Sequence, residues 1–258
     1  MLKQTEVEFF KSQGYLLMQD VLTAEQLARL RDIAEAERAR ARTAARTEND
    51  ILETKAYGNE PEVFRLSRVM ARHEEFRAVA IHPRVCAAVR ELLGGDAEVC
   101  INRHNMMLVK AARVGRQVDW HQDGWNWNND GMISFMVFLD DATPQNGCLE
   151  IIPGAHKNGL LPCAQSGVGR GMDLARPEIA ALVRQAVPVP VKAGDGLFFH
   201  SCLPHFSKAN TSEFSRRNLV FAYVSANGKQ GLMGSAPIES IPLPNENYCP
   251  SALSSTVA

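Results

Sequence analysis

His121 and Asp123 stand two apart in "VDWHQDGWNWNNDG", residues 118–131, a stretch that also holds Trp120, Trp125 and Trp127, all three tryptophans of the chain. Near a strand end that spacing puts both polar side chains on one face, because side chains alternate with a period of two. A neutral imidazole and a carboxylate suit a borderline divalent metal. One more histidine would complete a two-histidine, one-carboxylate set that leaves three positions of an Fe(II) ion open. Alone, H-x-D is a weak signal, and a hydrogen-bonded surface pair is the simpler reading of it.

The stretch "GDGLFFHSCLPHFSKANTSEFSRRNLVF", residues 194–221, offers two candidate third ligands, His200 and His205. Arg216 follows His205 by eleven residues, at the start of the expected strand "NLVFAYVS". A planar guanidinium donates two parallel hydrogen bonds to a carboxylate. A metal triad followed by such an arginine is what an enzyme needs to hold a 2-oxo acid, with keto and carboxylate oxygens on the metal and the distal carboxylate on the arginine. His200 lies in the apolar run "LFFH" and reads as packed at a strand end. His156 in "PGAHK" reads as fixing a turn. His73, His82 and His104 carry no partner pattern, although Asn102 and His104 fall on a strand expected to enter the site.

The elements that must position these residues change in texture near residue 95. Before it the chain reads mostly as helix. Thr5 with Glu8 and Thr23 with Gln26 fit the capping box, and Leu27, Leu30, Ile33 and Ala34 share one face of a 3.6-residue period. "YLLMQDVL" supplies a short strand, and a further helix is expected from Pro83 to the stop at Gly94 and Gly95. After it come the β-rich runs "AEVCINRHNMMLVK", "MISFMVFLD", "GCLEIIPG", "VPVPVKAGDGLFFH" and "NLVFAYVS". Turn signals such as Asp130-Gly131 and Asn146-Gly147 separate them. That pattern predicts an antiparallel sandwich or barrel. Residues 163–185 read as an insertion, a Gly-rich loop "SGVGRG" and then a helix near "PEIAALVRQ", and the loop at 163–175 is a candidate lid. The expected organisation is one domain over 1–258: a mainly helical flank at 1–95, a β-core at 96–228 and an irregular tail at 238–258.

The 258 residues carry a formal net charge of -1, with 45% hydrophobic and 22% charged residues. No block of like charges suggests nucleic acid or a polybasic membrane anchor. The mixed-sign run "EAERARARTAARTEND" reads as a solvated helix face. No stretch approaches a membrane span, the N-terminus lacks a signal-peptide core, and the six scattered cysteines read as reduced thiols. A cytoplasmic protein is expected, with neither membrane nor nucleic acid as partner.

Four segments, in order, resemble the phytanoyl-CoA dioxygenase-like Fe(II)/2-oxoglutarate oxygenases. "VEFFKSQGYLLMQDVLTAEQLARLR" is similar to the family's opening helix-strand-helix, and "WHQD" to its first metal motif. "NGCLEIIPGAHK" resembles its N-G-x-L-x-x-x-P-G-S-H segment, with Ala155 in place of the usual serine. "GDGLFFHSCLPHFSKANTSEFSRR" resembles its second metal motif. The resemblance implies a mainly β fold with flanking helices, a double-stranded β-helix (cupin-like jelly roll). It implies His121, Asp123 and His205 as metal ligands and catalytic residues. Arg216, assisted by Ser207, would bind 2-oxoglutarate; Arg217, the rival, should point to the opposite face. Gln122 and Met106 would line the cosubstrate pocket, and Trp125 and Trp127 would contact substrate. The implied reaction uses Fe(II), 2-oxoglutarate and O2 to hydroxylate an unactivated C–H bond of a small molecule (an amino acid, a small amine or phosphonate, or a secondary metabolite), releasing succinate and CO2. Asp123 predicts hydroxylation, or a related desaturation or ring closure, over halogenation, which needs a small residue there. The alternatives are a cupin-type metal enzyme that does not use 2-oxoglutarate and a non-catalytic 2-oxoglutarate or ligand sensor.

Overall fold

Alternation along Arg216–Ser225 sets the layers of the molecule. Val220 faces an apolar layer that includes Met136, Phe138, Leu149, Ile151, Leu197 and Phe199. Leu219, Phe221 and Tyr223 face a second layer with Leu30, Phe76, Val85 and Val89 from the helices. A sheet covered on both faces needs apolar residues at every position, not at every second one. The wholly buried run Met132–Phe138 is that case.

The computed structural model describes residues 1–43, 50–53, 62–126, 131–166, 169–226 and 238–245. Its strands in chain order are β1 (Tyr15–Met18), β2 (Asp50–Glu53), β3 (Glu62–Ser67), β4 (Ala97–Cys100), β5 (Asn105–Lys110), β6 (Val118–His121), β7 (Met132–Phe138), β8 (Leu149–Ile151), β9 (Cys163–Ser166), β10 (Gly169–Met172), β11 (Val187–Val189), β12 (Gly196–His200), β13 (His205–Ser207), β14 (Arg216–Ser225) and β15 (Ser240–Pro242). The α-helices are α1 (Gln4–Gln13), α2 (Ala24–Thr43), α3 (Glu74–Ala80), α4 (Pro83–Leu93) and α5 (Pro177–Val183). The main antiparallel sheet runs β1-β12-β7-β14-β5-β3-β2, with β4 on the far end of β14 and β15 on β4. A smaller sheet, β11-β8-β13-β6, faces it across the inner apolar layer. This is the expected jelly roll. Pro188 is tolerated because β11 is an edge strand, where a missing N–H breaks no ladder.

The helix signals hold in two of three cases. Thr23 and Gln26 exchange the expected bonds, Thr23 N to Gln26 Oε1 at 2.9 Å and Gln26 N to Thr23 Oγ1 at 3.2 Å. Leu30 and Ala34 are buried, with Leu27 and Ile33 packed beside them. α4 begins at Pro83 and ends on Gly94, whose φ of 75° lies in the left-handed region that glycine adopts without strain. α1 starts two residues earlier than expected, with Lys3 N on Glu6 Oε2 at 2.7 Å, so Thr5 lies inside the helix.

Four expectations need correction. The flank at 1–95 also builds the main sheet: β1 pairs with β12 at one edge and β3 with β5 toward the other. The supposed Gly-rich loop of the insertion is a β9–β10 hairpin followed by α5, since glycines at 169 and 171 do not prevent backbone pairing. Part of the tail is ordered: β15 pairs with β4, Leu243 is buried, and Arg90 Nη2 donates to the Leu243 and Pro244 carbonyls at 3.1 and 2.5 Å. The charged run is not wholly solvated, because Glu37 is buried among Arg40, Arg72 and His73. Asp130 and Cys249 lie outside the described residues. The other five cysteines form no disulfide among the described residues, and no described helix is long and apolar enough to cross a membrane.

Candidate metal centre

His121 and His205 are cross-strand partners in β6 and β13, and their rings lie 4.0 Å apart, centroid to centroid. Each imidazole is oriented by a local backbone carbonyl. Nδ1 of His121 lies 2.8 Å from Asp119 O, and Nδ1 of His205 lies 2.9 Å from Leu203 O. An Nδ1–H donated to a carbonyl leaves Nε2 with its lone pair, the usual device for presenting a histidine to a metal. Asp123 opens a short 3-10 turn fixed by Gly124 N on Ser201 O at 2.9 Å. Its Oδ1 lies 3.9 Å from His121 Nε2 and 3.8 Å from His205 Nε2. The three ligand atoms all fall within 4.8 Å of one another.

Electrostatics favour the ligating forms. Burial, reinforced by the neighbouring His205, pushes the His121 imidazole down to about 4, so it is neutral at physiological pH. Burial would raise the Asp123 carboxyl, but the surrounding His104, His205 and His121 outweigh it and hold the group well below the usual carboxylate range. Two imidazole nitrogens and one carboxylate oxygen, all within 4.8 Å of one another, fit a divalent first-row ion with positions to spare. His200 is elsewhere, accepting from Cys202 N at Nδ1 (3.0 Å), and His156 lies on the Lys11 carbonyl.

On the inner face of β14, Arg216 is buried and donates from Nη1 to Gly147 O at 2.7 Å, while its Nε has no partner. Burial pushes the guanidinium down to about 10, still protonated at neutral pH. Asn218, two residues on and fully buried, has no partner on either amide atom. Buried polar groups without partners cost about 1–3 kcal/mol each, and these donors are of the kind that could hold a polar, anion-bearing guest. Arg217 is turned to the opposite face and gripped by Asp140, with Nε on Oδ2 at 2.8 Å and Nη2 on Oδ1 at 2.9 Å. Ser207 is buried in β13 beside Lys110, whose Nζ caps the carbonyls of Arg116, Lys208 and Ser207. Met106 is half-buried against the inner layer, opposite Val220.

Gln122, expected in the cosubstrate pocket, is a correction. Its Nε2 donates to Gly159 O and Cys202 O at 2.9 and 2.6 Å, and its Oε1 accepts from Leu161 N at 2.8 Å. With its amide engaged on three backbone groups, it braces loops behind the metal motif. Trp125, expected to contact substrate, donates Nε1 to Leu161 O at 2.9 Å and is packed with Ile152, Met172, Ile179 and Phe206 in a small core beneath the insertion. Trp120 stacks on Phe206 in the same core. Trp127 lies outside the described residues. Two further residues reach the centre: Ser134, which carried no sequence signal and whose Oγ donates to Asp123 Oδ2 at 2.6 Å, and His104, expected on a strand entering the site but found in the loop between β4 and β5, whose Nε2 lies 3.0 Å from Asp123 Oδ1.

Comparison with known proteins places the chain in a family. The sequence model of phytanoyl-CoA dioxygenase (PhyH) matches residues 10–218. An ectoine dioxygenase of Stutzerimonas stutzeri is 29% identical over 84% of this chain and 75% of the relative. An L-proline trans-4-hydroxylase of Streptomyces griseoviridis is 32% identical over 55% of this chain and 59% of the relative. The crystal structure of EctD from S. alaskensis with 2-oxoglutarate and 5-hydroxyectoine superposes with a TM-score of 0.74 at 23% identity, covering 89% of this chain and 78% of that one.

Proposed function

The chain belongs to the phytanoyl-CoA dioxygenase family and is an Fe(II)/2-oxoglutarate-dependent dioxygenase; from that premise we propose that it hydroxylates an unactivated C–H bond of a small, amino-acid-like molecule. The observation that carries the reading is the cluster of His121, Asp123 and His205, together with a buried Arg216 whose Nε has no partner. Bound iron(II), with 2-oxoglutarate and O2, supplies the oxidation and leaves succinate and CO2.

The residues supply the rest. His121 and His205 present Nε2, and Asp123 presents one carboxylate oxygen. Arg216 grips the distal carboxylate of 2-oxoglutarate through charge-assisted hydrogen bonds, Ser207 assists from the facing strand, and Met106 lines the same side. A carboxylate at position 123 occupies the place a halide would need, which favours hydroxylation, or a related desaturation or ring closure, over halogenation. The relatives named for ectoine and L-proline support a small substrate of amino-acid origin; a small amine, a phosphonate and a secondary metabolite belong to the same reading. Trp127 is the tryptophan assigned to substrate contact. Residues 1–258 act as one catalytic unit in this reading, with a cytoplasmic setting.

Anaerobic titration of the iron(II)-loaded protein with 2-oxoglutarate tests the site. A visible charge-transfer band is expected for the wild type, and none for His121→Ala, which keeps its fold by circular dichroism. A normal band and normal succinate release in that variant would sink the ligand assignment. Absence of the band in an iron-loaded wild type would favour a metal enzyme that does not use 2-oxoglutarate.

A further inference from the structure

Asp123 is held at both oxygens. Ser134, fully buried in β7, donates to Oδ2 at 2.6 Å. His104 Nε2 lies 3.0 Å from Oδ1, the oxygen that faces His121 and His205. An ionised carboxylate only accepts, so this contact needs the proton of His104 on Nε2.

His104 reaches that place through an uncommon backbone. Its φ is 42°, in the left-handed region that residues bearing a side chain seldom adopt. The loop around it is pinned by hydrogen bonds on both sides. Asn105, buried beside it, gives Nδ2 to Ile101 O and takes Met70 N on Oδ1, both at 3.0 Å. The Asn105 carbonyl accepts from Arg68 N at 2.7 Å, and at the other end Ile101 N donates to Glu239 O at 2.8 Å. Asn102 Oδ1 takes Glu239 N at 3.1 Å. Strained backbone persists where its surroundings over-determine it, and it collects at sites that use the geometry so produced.

We propose that His104 is a positioning residue for the metal-binding carboxylate of Asp123. Its Nε2–H holds Oδ1 in one orientation while Ser134 draws Oδ2 aside. The carboxylate then offers a single oxygen to the ion, and the remaining positions stay open for cosubstrate and O2. The proposal rests on the reading of Asp123 as a metal ligand. It differs from a substrate-contact role for His104, which would act only when substrate is present.

Cobalt(II) titration, followed by visible absorption without cosubstrate or substrate, tests it. His104→Leu is expected to weaken Co(II) binding roughly 10–100-fold, the usual cost of losing an outer hydrogen-bond partner, and to shift the d–d bands. His104→Gln, which keeps an N–H donor, is expected to restore most of the affinity. His104→Glu, which sets a second acceptor against Asp123, is expected to bind worse than the Gln variant. Wild-type affinity and spectrum in a folded Leu variant would overturn the proposal. If the Leu variant does not fold, equal affinity in the Glu and Gln variants would do the same. Asp123→Ala separates the two levels. Its loss of Co(II) alongside an unaffected His104→Leu rejects the positioning role alone, whereas undiminished binding by Asp123→Ala removes the ligand reading and the proposal with it.

Discussion

Arg216 and Arg217 are adjacent in β14 and send their guanidinium groups to opposite faces of the main sheet. Arg216 enters the interior and leaves Nε without a partner. Arg217 turns outward to Asp140, with a further contact to Glu35 of α2 at 3.4 Å, and so ties helix to sheet. One keeps a donor free in the interior, and the other serves the fold.

Exchanging each for glutamine should therefore separate binding from stability. Arg216→Gln is expected to lose about 1.5–3 kcal/mol of 2-oxoglutarate binding, a roughly ten- to hundredfold rise in KM, because hydrogen bonds between charged groups are lost. Arg217→Gln is expected to lower the urea midpoint and leave that KM near wild type. Steady-state succinate release and equilibrium unfolding read the two effects. The reverse pattern would put the cosubstrate on the other face.

Gln122 makes the opposite prediction from the one its place inside H-x-D suggests. Gln122→Leu conserves volume but strips partners from the Gly159 and Cys202 carbonyls and from Leu161 N. At about 1–3 kcal/mol for each buried group left unpaired, a loss of stability of roughly 3 kcal/mol or more is expected. The KM for 2-oxoglutarate should hardly move. A variant of normal stability with a raised KM would return Gln122 to the cosubstrate pocket.

Alkaline pH should find a weakness in the helix-covered core. Burial pushes the thiol of Cys86 up to about 11 and that of Cys100 up to about 12, against an ordinary value of 9.0. A folded-state value above the unfolded one means stability that is fully present below pH 9 and lost as the pH rises toward 11 and 12. Each thiol contributes a slope of at most about 1.4 kcal/mol per pH unit. A Cys86→Ala, Cys100→Ala double variant should lose less stability between pH 9 and 11 than the wild type, whatever its stability at neutral pH. Parallel profiles from urea melts across that range would contradict the burial argument.

Much of the site could be read from residue spacing. The period-two rule places Arg216 and Arg217 on opposite faces, and the capping pattern at Thr23 and Gln26 is realised bond for bond. The same alternation sets Gln122 on the face opposite His121 and Asp123, and its hydrogen bonds agree with that. His104 and Ser134 stayed hidden for different reasons. His104 meets a carboxylate nineteen residues away through a strained turn that no periodicity announces. Ser134 sits inside "MISFMVF", where a lone hydroxyl looks like core. The β9–β10 hairpin escaped notice because its glycines read as punctuation, and β15 because a strand of three residues ending in proline has almost no signature.

The stacked pair Trp120 and Phe206, 5.2 Å apart with ring planes at 16°, has a reach beyond its own packing. Each ring is the immediate chain neighbour of a histidine that points through the sheet to the other side. The stack shares its core with Met172 and Ile179 from the insertion. The insertion therefore packs behind both strands that carry the histidines, β6 and β13. If docking of that segment and loading of the centre are coupled, the coupling acts equally in both directions: whatever free energy the docked segment would lend to ion binding, the ion would return to docking.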